Sequence, residues 1–304
     1  MQSLRSGVVV VGVALAACGE VDEHRHLDGG SDGQAADSSP DARVPSCWGQ
    51  PFTAPQPVAA LNSNAPEVYL RLSQDELTAY FSRIGSAAPT MGLVATRAST
   101  TAPFGSIASL QMTGSTSTEV LSPTTTADGL TMLFTSSRTG TLGLLDVWMA
   151  TRAATTVNFG NITNVSAANS TGAEDDVFVV PDGSAIYFSS DRNGQIYSIF
   201  RAEKSGTTYA NPMVVLSDPN LFVNRVVISP DELTMFYQEG NDIRETHRAS
   251  KTAAWTLEPA LTVINSVNAD HPTWISPDGC RLYMETDRQG TQGLDFFLAV
   301  RTPQ

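Results

Sequence analysis

The sequence predicts an all-β protein, a β-propeller of five four-stranded antiparallel blades. Three observations predict this fold. One pattern recurs five times with a period near fifty residues, each copy contains several short apolar runs separated by turn residues, and no stretch has a convincing amphipathic helical pattern. A supersecondary unit repeated at this period is typical of a propeller, in which each repeat forms one blade. Six blades are the alternative architecture.

The repeats align on a turn aspartate followed by an apolar strand. The copies span residues 73–83, 127–138, 181–192, 229–239 and 276–288, with turn aspartates Asp75, Asp128, Asp182, Asp231 and Asp278. Pro-Asp-Gly and Asp-Glu sequences at these points favour tight turns, because Pro restricts φ, Asp bonds the nearby backbone and Gly takes positive φ. The repeated aspartates are therefore interpreted as turn formers.

Each copy contains enough strand-like runs for one blade. An apolar run precedes the turn and a second follows it, as in 185–189. A polar loop leads to a third run, and a fourth begins with an aromatic residue and ends with an aliphatic one, as in 209–216. Short runs bounded by turn signals indicate strands.

The repeat also resembles a known family. The pattern Ser-Pro-Asp-Gly-x-x-Leu-Tyr-Phe-x-Ser-x-Arg is similar to the WD40-like, TolB-type β-propeller repeat, and the resemblance covers residues 48–302. The second copy is stretched between Ser122 and Gly129, and the fourth has Glu239 where the others end in arginine.

One copy of the fourth strand is out of order. Residues 48–62 look like residues 255–265 but stand at the front of the domain, while the last repeat stops after its third strand at Arg301. We expect the N-terminal strand to complete the last blade, because an open ring would leave an unpaired sheet edge.

The N-terminus predicts a lipoprotein signal. Residues 7–17 form a small and apolar run that is too short to span a bilayer and has the length of a signal-peptide core. The sequence Leu-Ala-Ala-Cys ending at Cys18 resembles the lipobox of bacterial lipoproteins. That resemblance implies removal of residues 1–17, acylation of Cys18 and an extracytoplasmic location in the cell envelope. Gly19 resembles the signal for sorting to the outer membrane.

Residues 18–46 predict a disordered acidic tether, and residues 47–304 the propeller. The tether contains seven Asp and Glu residues among Gly, Ser, Ala and Pro, with almost nothing apolar to bury. The chain has a net charge of −13 and only two lysines. No basic stripe is present, which argues against nucleic acid as a partner.

Two cysteines remain after Cys18 is assigned to lipid. Cys47 and Cys280 form an even pair in an oxidising compartment, which indicates a disulfide rather than two free thiols. In a four-stranded meander the fourth strand starts on the rim that carries the turn between the first two strands. Cys47 precedes the former and Cys280 lies in the latter, so the bond would fasten the closure of the ring.

Acidic and basic residues recur at equivalent positions on one predicted rim. The first strands begin with polar or acidic residues, and several second strands end in arginine. The candidate ligand-binding residues are Glu67, Glu119, Glu174, Asp175, Asn224, Asp270, His271, Arg83, Arg138, Arg192 and Arg288. Aromatic residues such as Tyr69 and Trp274 would lie nearby. The alternative is that the acids and arginines pair with each other between blades, because repetition at equivalent positions is typical of structure.

These features favour a non-catalytic binding module for a protein or a polysaccharide. The residues that break the repeat symmetry, Asn224, Asp270 and His271, are where a ligand site is most expected. The alternative is a five-bladed glycosidase or polysaccharide lyase that uses carboxylates at the channel mouth. The sequence contains no nucleotide-binding glycine loop, no nucleophile elbow and no Cys or His cluster at metal spacing, so we expect no cofactor or metal.

Overall fold

The protein forms a five-bladed β-propeller, as the repeat predicts. The computed structural model describes residues 46–85, 90–194 and 196–303, and its regular secondary structure there is entirely β. Cys18, the signal peptide and residues 18–45 of the tether lie outside the described residues. The described part of the chain has no helix with the length and apolarity needed to cross a membrane.

Each of the first four blades is a meander that runs from an inner to an outer strand. Blade 1 contains β2 (Glu67–Leu72), β3 (Thr78–Arg83), β4 (Met91–Thr96) and β5 (Ala108–Ser109). Blade 2 contains β6 (Leu121–Thr125), β7 (Thr131–Ser136), β8 (Asp146–Thr151) and β9 (Gly160–Asn164). Blade 3 contains β10 (Glu174–Val179), β11 (Ala185–Ser190), β12 (Ser198–Ser205) and β13 (Thr208–Leu216). Blade 4 contains β14 (Val223–Ile228), β15 (Thr234–Glu239), β16 (Asp242–His247) and β17 (Thr256–Leu257).

The fifth blade closes the ring in the predicted way. It contains β18 (Asp270–Ile275), β19 (Arg281–Thr286), β20 (Asp295–Val300) and the N-terminal β1 (Gln56–Pro57). The outer strand β1 pairs antiparallel with β20, and the Thr53 and Val58 amides extend this pairing by donating to Val300 and Phe296. The predicted disulfide between Cys47 and Cys280 is also present, so a covalent bond joins the two ends of the domain beside this strand pair.

Three of the connections between blades share an Asn-Ser motif. The Asn62 side-chain amide donates to the Phe296 carbonyl and accepts from the Phe296 amide, so it pairs like a short piece of strand. Asn169 makes the same two bonds to Val147, and Asn265 makes them to Ile243. Because each partner lies on the third strand of the preceding blade, the motif joins that blade to the next one.

Buried apolar side chains fill the spaces between blades. Phe81 of blade 1 meets Phe296 of blade 5 edge-on, with ring centroids 5.5 Å apart, and both side chains are fully buried. Phe52, just before β1, makes a similar contact with Phe236 of blade 4. Burial of a large apolar side chain contributes about 1.5–3 kcal/mol, so the contacts between blades supply much of the stability of the ring.

Two of the repeat turns contain a buried glutamate where the other three have glycine. Glu76 and Glu232 adopt positive φ values of 61° and 60°, a conformation that costs little for glycine and more for other residues. Both carboxylates form ion pairs with a neighbouring blade. Glu76 binds Arg281 of blade 5 at 2.6 Å, and Glu232 binds Arg201 of blade 3 at 2.7 Å. These ion pairs offset the backbone strain at the two turns.

The Glu232 carboxylate accepts hydrogen bonds from three different side chains. It accepts from Arg201, from Lys251 at 2.7 Å and from the Tyr187 hydroxyl at 2.7 Å. Although burial alone would raise the pKa of Glu232, these bonds lower it to about 2. The stabilisation they provide is therefore complete above the ordinary pKa near 4.5 and is lost as the pH falls from there towards 2.

We predict that Glu232→Gln lowers the free energy of unfolding at pH 7 by about 2–3 kcal/mol. The change removes the buried charge partner of Arg201 and Lys251, but both cations reach water and Arg201 keeps its ion pair with Glu203, which reduces the cost below that of a fully buried pair. Denaturant unfolding at pH 7 and at pH 3 measures the effect, and the variant should lose less stability on acidification than the wild type.

Glu203→Gln is the matched control. Glu203 also pairs with Arg201, at 2.9 Å, but its side chain is 74% exposed, so its loss should cost at most about 0.5 kcal/mol. Equal effects of the two substitutions would contradict a special role for the buried turn glutamate.

Candidate functional site

The predicted ring of carboxylates and arginines exists as three buried ion pairs. Arg83 binds Glu67 at 2.6 Å, and the same pairing joins Arg192 to Glu174 at 3.0 Å and Arg288 to Asp270 at 2.6 Å. The three carboxylates are fully buried. Each pair forms within one blade, between its first and second strands, and not between blades as the pairing alternative expected.

These carboxylates also hold the loops that enter each blade. Glu67 accepts hydrogen bonds from the amide and hydroxyl of Ser63, and Glu174 and Asp270 accept the same two bonds from Ser170 and Ser266. Glu119 of blade 2 differs, because its carboxylate accepts from Ser136 and Ser137 while Arg138 donates to the Glu119 backbone carbonyl. The acids at the starts of the blades therefore have structural partners.

A second set of charged residues reaches the channel through irregularities in the inner strands. β2, β6, β10 and β14 each have a register shift and one residue with positive φ at the same repeat position: Tyr69, Ser122, Asp176 and Arg225. In blade 5 this position is Pro272. Positive φ in such residues costs conformational energy and is found preferentially at functional sites.

The first part of the channel cluster is a buried ion pair. Arg71 binds Asp176 at 2.7 Å, and both side chains are 1% exposed. Arg71 also donates to the backbone carbonyl of Thr273, so it joins the inner strands of blades 1, 3 and 5. Burial raises the pKa of Asp176 to about 6, and the nearby Arg71 and Arg225 only partly oppose this shift.

The second part is centred on Glu285, in the second strand of blade 5. Its carboxylate lies 3.2 Å from Arg225 and 3.1 Å from Nδ1 of His271, and it accepts a 2.7 Å hydrogen bond from the Tyr69 amide. The Arg225 guanidinium stacks 3.9 Å above the Tyr69 ring. Although burial alone would raise the pKa of Glu285, Arg225, His271 and the Tyr69 amide together lower it.

At the channel mouth, polar groups meet an aromatic pair. The Asp175 carboxylate accepts from the Tyr69 hydroxyl at 3.0 and 3.1 Å and is partly exposed. Phe222 is 39% exposed and packs on Tyr197, with centroids 5.1 Å apart. Burial, followed by the carboxylates of Asp175, Asp191 and Glu174, raises the pKa of Tyr197 to about 12. Asp175 lies at the start of β10, Tyr197 precedes β12 and Phe222 precedes β14, so the three residues belong to the same rim of the propeller.

The structure separates the sequence-predicted candidates into two groups. Asp175 and His271 belong to the channel cluster, and Asn224 accepts a hydrogen bond from the Arg225 amide beside it. The other candidates form the loop-holding pairs described above, and Trp274 packs against Tyr283 in the hydrophobic core.

The sequence reasoning missed Arg71, Asp176, Arg225, Glu285, Tyr197 and Phe222. The sequence feature that could have identified them is that equivalent positions of the repeat carry different residues. Tyr, Ser, Asp, Arg and Pro occupy one inner-strand position, and Arg71, Arg225 and Glu285 are charged residues inside otherwise apolar runs. A residue that differs among the copies cannot serve the shared architecture, so it is a better candidate for a ligand site than a residue that recurs.

Four polar atoms of the cluster are buried and have no hydrogen-bond partner within the described residues. They are Nε of Arg71, Nη1 of Arg225, Oδ2 of Asp176 and Oγ1 of Thr273. Two are donors, one is an acceptor when ionised, and the hydroxyl can act as either. Such an arrangement suits a hydroxyl group or a water molecule, which both donates and accepts. The described residues contain no group of three or more His, Cys, Asp and Glu arranged to hold a metal ion.

Comparison with known proteins supports the fold but identifies no family for this chain. No family model and no curated protein matches the chain. Among solved structures, the chain is similar to an α-L-arabinofuranosidase from Podospora anserina in complex with cellotriose (14% identity, 84% of this chain and 98% of that one, TM-score 0.58). It is also similar to a thermostable family-43 glycoside hydrolase (12% identity, 86% and 97%, TM-score 0.51) and to TolB from Acinetobacter baumannii (14% identity, 81% and 56%, TM-score 0.51). Our chain thus spans just over half of that TolB chain, and identities this low show the fold alone.

We predict that Asp176→Asn changes how stability depends on pH. Because the folded pKa of Asp176 is raised to about 6 from 3.8, its contribution is complete below pH 4 and is lost as the pH rises through 6. The variant should therefore gain stability relative to the wild type between pH 4.5 and 7.5, by on the order of 2 kcal/mol. Thermal or denaturant unfolding at both pH values measures this difference.

Asp182→Asn is the control for this titration. Hydrogen bonds from Ser184 lower the pKa of Asp182, so its titration lies below the pH range tested. Its stability relative to the wild type should be nearly the same at both pH values. A flat difference for Asp176→Asn as well would contradict the assignment of a buried, titrating carboxylate to the channel.

Proposed function

We propose that this protein is a binding module that holds a polysaccharide at the mouth of the propeller channel, without cleaving it. The observation that carries the proposal is the Tyr197–Phe222 pair on the same rim as the partly exposed Asp175. An exposed aromatic surface can pack against the apolar C–H face of a sugar ring, while a partly exposed carboxylate accepts hydrogen bonds from neighbouring hydroxyls.

The channel cluster supports binding through its rigidity. Tyr69 is fixed by hydrogen bonds to Asp175 and Glu285 and by the Arg225 stack, so the polar groups at the mouth are held in place before a ligand arrives. A preorganised site loses less conformational entropy on binding than a flexible one. A protein ligand is the other occupant compatible with this face, which carries exposed apolar residues at Leu142, Leu144, Leu221 and Val267.

Glycoside hydrolysis is the second candidate. Its supporting observation is that the environments of two channel carboxylates push their pKa values apart, upwards for Asp176 and downwards for Glu285. Such a division is typical of an acid and its partner carboxylate. Against hydrolysis, both carboxylates are almost fully buried and Glu285 is occupied by three partners, whereas a glycosidic bond must reach both groups.

We predict that Phe222→Ala and Asp175→Asn each weaken polysaccharide binding at least tenfold, because they remove the stacking surface and the hydroxyl acceptor. The probes are soluble arabinoxylan, pectin, alginate and glycol chitin, with affinity measured by titration calorimetry and with release of reducing ends and unsaturated sugars assayed in parallel. Leu257→Ala is the matched control, since Leu257 is an exposed apolar residue on the outer strand β17, away from the channel.

The outcomes of this experiment distinguish saccharide binding, saccharide hydrolysis and the absence of a saccharide site. Binding without sugar release that depends on Phe222 and Asp175 supports the proposal. Sugar release that is lost in Asp176→Asn or Glu285→Gln would replace it with the hydrolase. No binding to any probe, or binding that all three substitutions leave unchanged, would reject a saccharide site at this mouth.

We also propose that the mature protein is anchored by lipid at Cys18 in the bacterial outer membrane, with the acidic segment as a tether. The support is the Leu-Ala-Ala-Cys sequence after a short apolar run. Cys18→Ala should abolish labelling by a radioactive or alkynyl fatty acid and should move the protein out of the membrane fraction. Continued labelling, or unchanged fractionation, would contradict the anchor.

A further inference from the structure

The outer strand of blade 3 differs from those of the other blades. β13 has nine residues, whereas β9 has five and β1, β5 and β17 have two each. The outer strand of a blade has a free edge, and a long apolar free edge invites pairing with another chain. Four of the blades limit this risk by keeping the outer strand short, and blade 3 does not.

Features that discourage pairing are concentrated in the first half of β13, and the second half has one further register shift, between Val214 and Leu216. Asn211 adopts a φ of 54° at a register shift, and Pro212 lacks an amide hydrogen. Beyond them, residues 213–216 are Met-Val-Val-Leu with no charge, and Met213 and Val214 are 71% and 43% exposed. Within the described residues, the backbone of 213–217 forms no hydrogen bond with any strand except β12.

A groove of about 830 Å³ runs beside this free edge, between blades 3 and 4. Met213, Val214 and Leu216 line one side, and the segment 251–255 of blade 4 lines the other. Within that segment Trp255 is held by the Arg248 guanidinium, 4.4 Å from its ring. The groove therefore combines an apolar lining with an available strand edge.

The charge of the groove is opposite to that of the rest of the protein. Arg201, Arg248 and Lys251 lie along it, together with Glu203 and, beneath them, the buried Glu232. This leaves one net positive charge locally in a chain of net charge −13. Lys251 is 52% exposed and, with Lys204, is one of only two lysines.

We propose that residues 213–217 are a docking site for an extended, acidic peptide segment of a partner protein, which adds to blade 3 as a fifth strand. Backbone hydrogen bonds to the β13 edge would supply affinity, and alternate side chains would enter the groove beside Trp255. An acidic side chain of the peptide would lie near Lys251. This surface is separate from the channel mouth and does not depend on a saccharide function.

The charge of the chain favours a foreign peptide over a second copy. Two copies paired edge to edge through β13 would bring together molecules that each carry thirteen net negative charges. An acidic peptide instead meets the local excess of positive charge in this groove. Self-association through β13 is kept as an outcome of the test.

The test uses the full chain carrying Cys18→Ala, which removes the acylation site. This protein is panned against a library of random linear heptapeptides, and the affinity of enriched peptides is measured by fluorescence anisotropy. We expect peptides with alternating apolar residues and at least one Asp or Glu. Val214→Pro, which removes an amide from the edge, should weaken their binding at least tenfold, and Lys251→Gln should weaken it about threefold to tenfold.

The chain offers a matched control for each variant. Thr163→Pro makes the same backbone change in β9, the outer strand of blade 2, and Lys204→Gln removes the other lysine, which lies on β12 outside the groove. Neither should change binding by more than twofold. If Val214→Pro unfolds at a lower temperature than the parent chain, Val214→Asp replaces it, because it keeps the amide and repels an acidic peptide.

Three results would overturn the proposal. The first is that panning enriches no peptide. The second is that the enriched peptides bind Val214→Pro or Val214→Asp as tightly as they bind the parent chain. The third is concentration-dependent dimerisation in analytical ultracentrifugation that Val214→Pro abolishes, which would assign this edge to a second copy of the chain.

Discussion

The architecture depends on closure of the ring, because no blade can bury both of its faces without two neighbours. In this protein the closing interaction is the pairing of β1 with β20, reinforced by the disulfide between Cys47 and Cys280. The covalent bond spans 233 residues of sequence, for which chain-entropy arguments give a stabilisation of about 5 kcal/mol as an upper bound. The strand pair itself is only two residues long, so the disulfide and the flanking amide bonds of Thr53 and Val58 hold the seam together.

The closed ring brings the inner strands together around one axis, and this separates two uses of charge. Acids that recur in the repeat, such as Glu67 and Glu174, pair within their own blade and hold the incoming loop. Residues that do not recur, such as Asp176 and Arg225, project into the channel from strained positions. The positive φ recurs in four inner strands and so belongs to the repeat, whereas the residues at this position differ between blades, and buried charges among them lower stability unless they are paired. The channel cluster is therefore the part of the molecule least explained by folding alone.

The channel mouth and the β13 flank of the propeller offer different kinds of surface. The channel mouth is small, rigid and polar, with one aromatic pair, which suits a sugar chain. The β13 flank is long, apolar and open along a strand edge, which suits an extended peptide. The similarity of the chain both to glycoside hydrolases and to a TolB protein does not choose between these surfaces, because a propeller is a scaffold on which unrelated sites are built.

The sequence by itself determined the repeat, and it predicted five blades with six as the alternative, the closure by residues 48–62 and the disulfide. These predictions follow from local periodicity, from the need to pair every strand and from the even number of remaining cysteines. It also singled out Asn224, Asp270 and His271, since they break the repeat; of these, His271 belongs to the channel cluster, whereas Asp270 pairs with Arg288 of its own blade. Only the tertiary structure decided that Glu67 and Asp270 are occupied by arginines of their own blades, and that Arg71, Asp176 and Glu285 meet across three blades. The periodicity of the sequence predicts the position of a residue within its own blade but not its contacts with other blades. Contacts across the axis join residues from 105 to 216 positions apart, and they depend on strand irregularities and positive φ values that no local pattern announces.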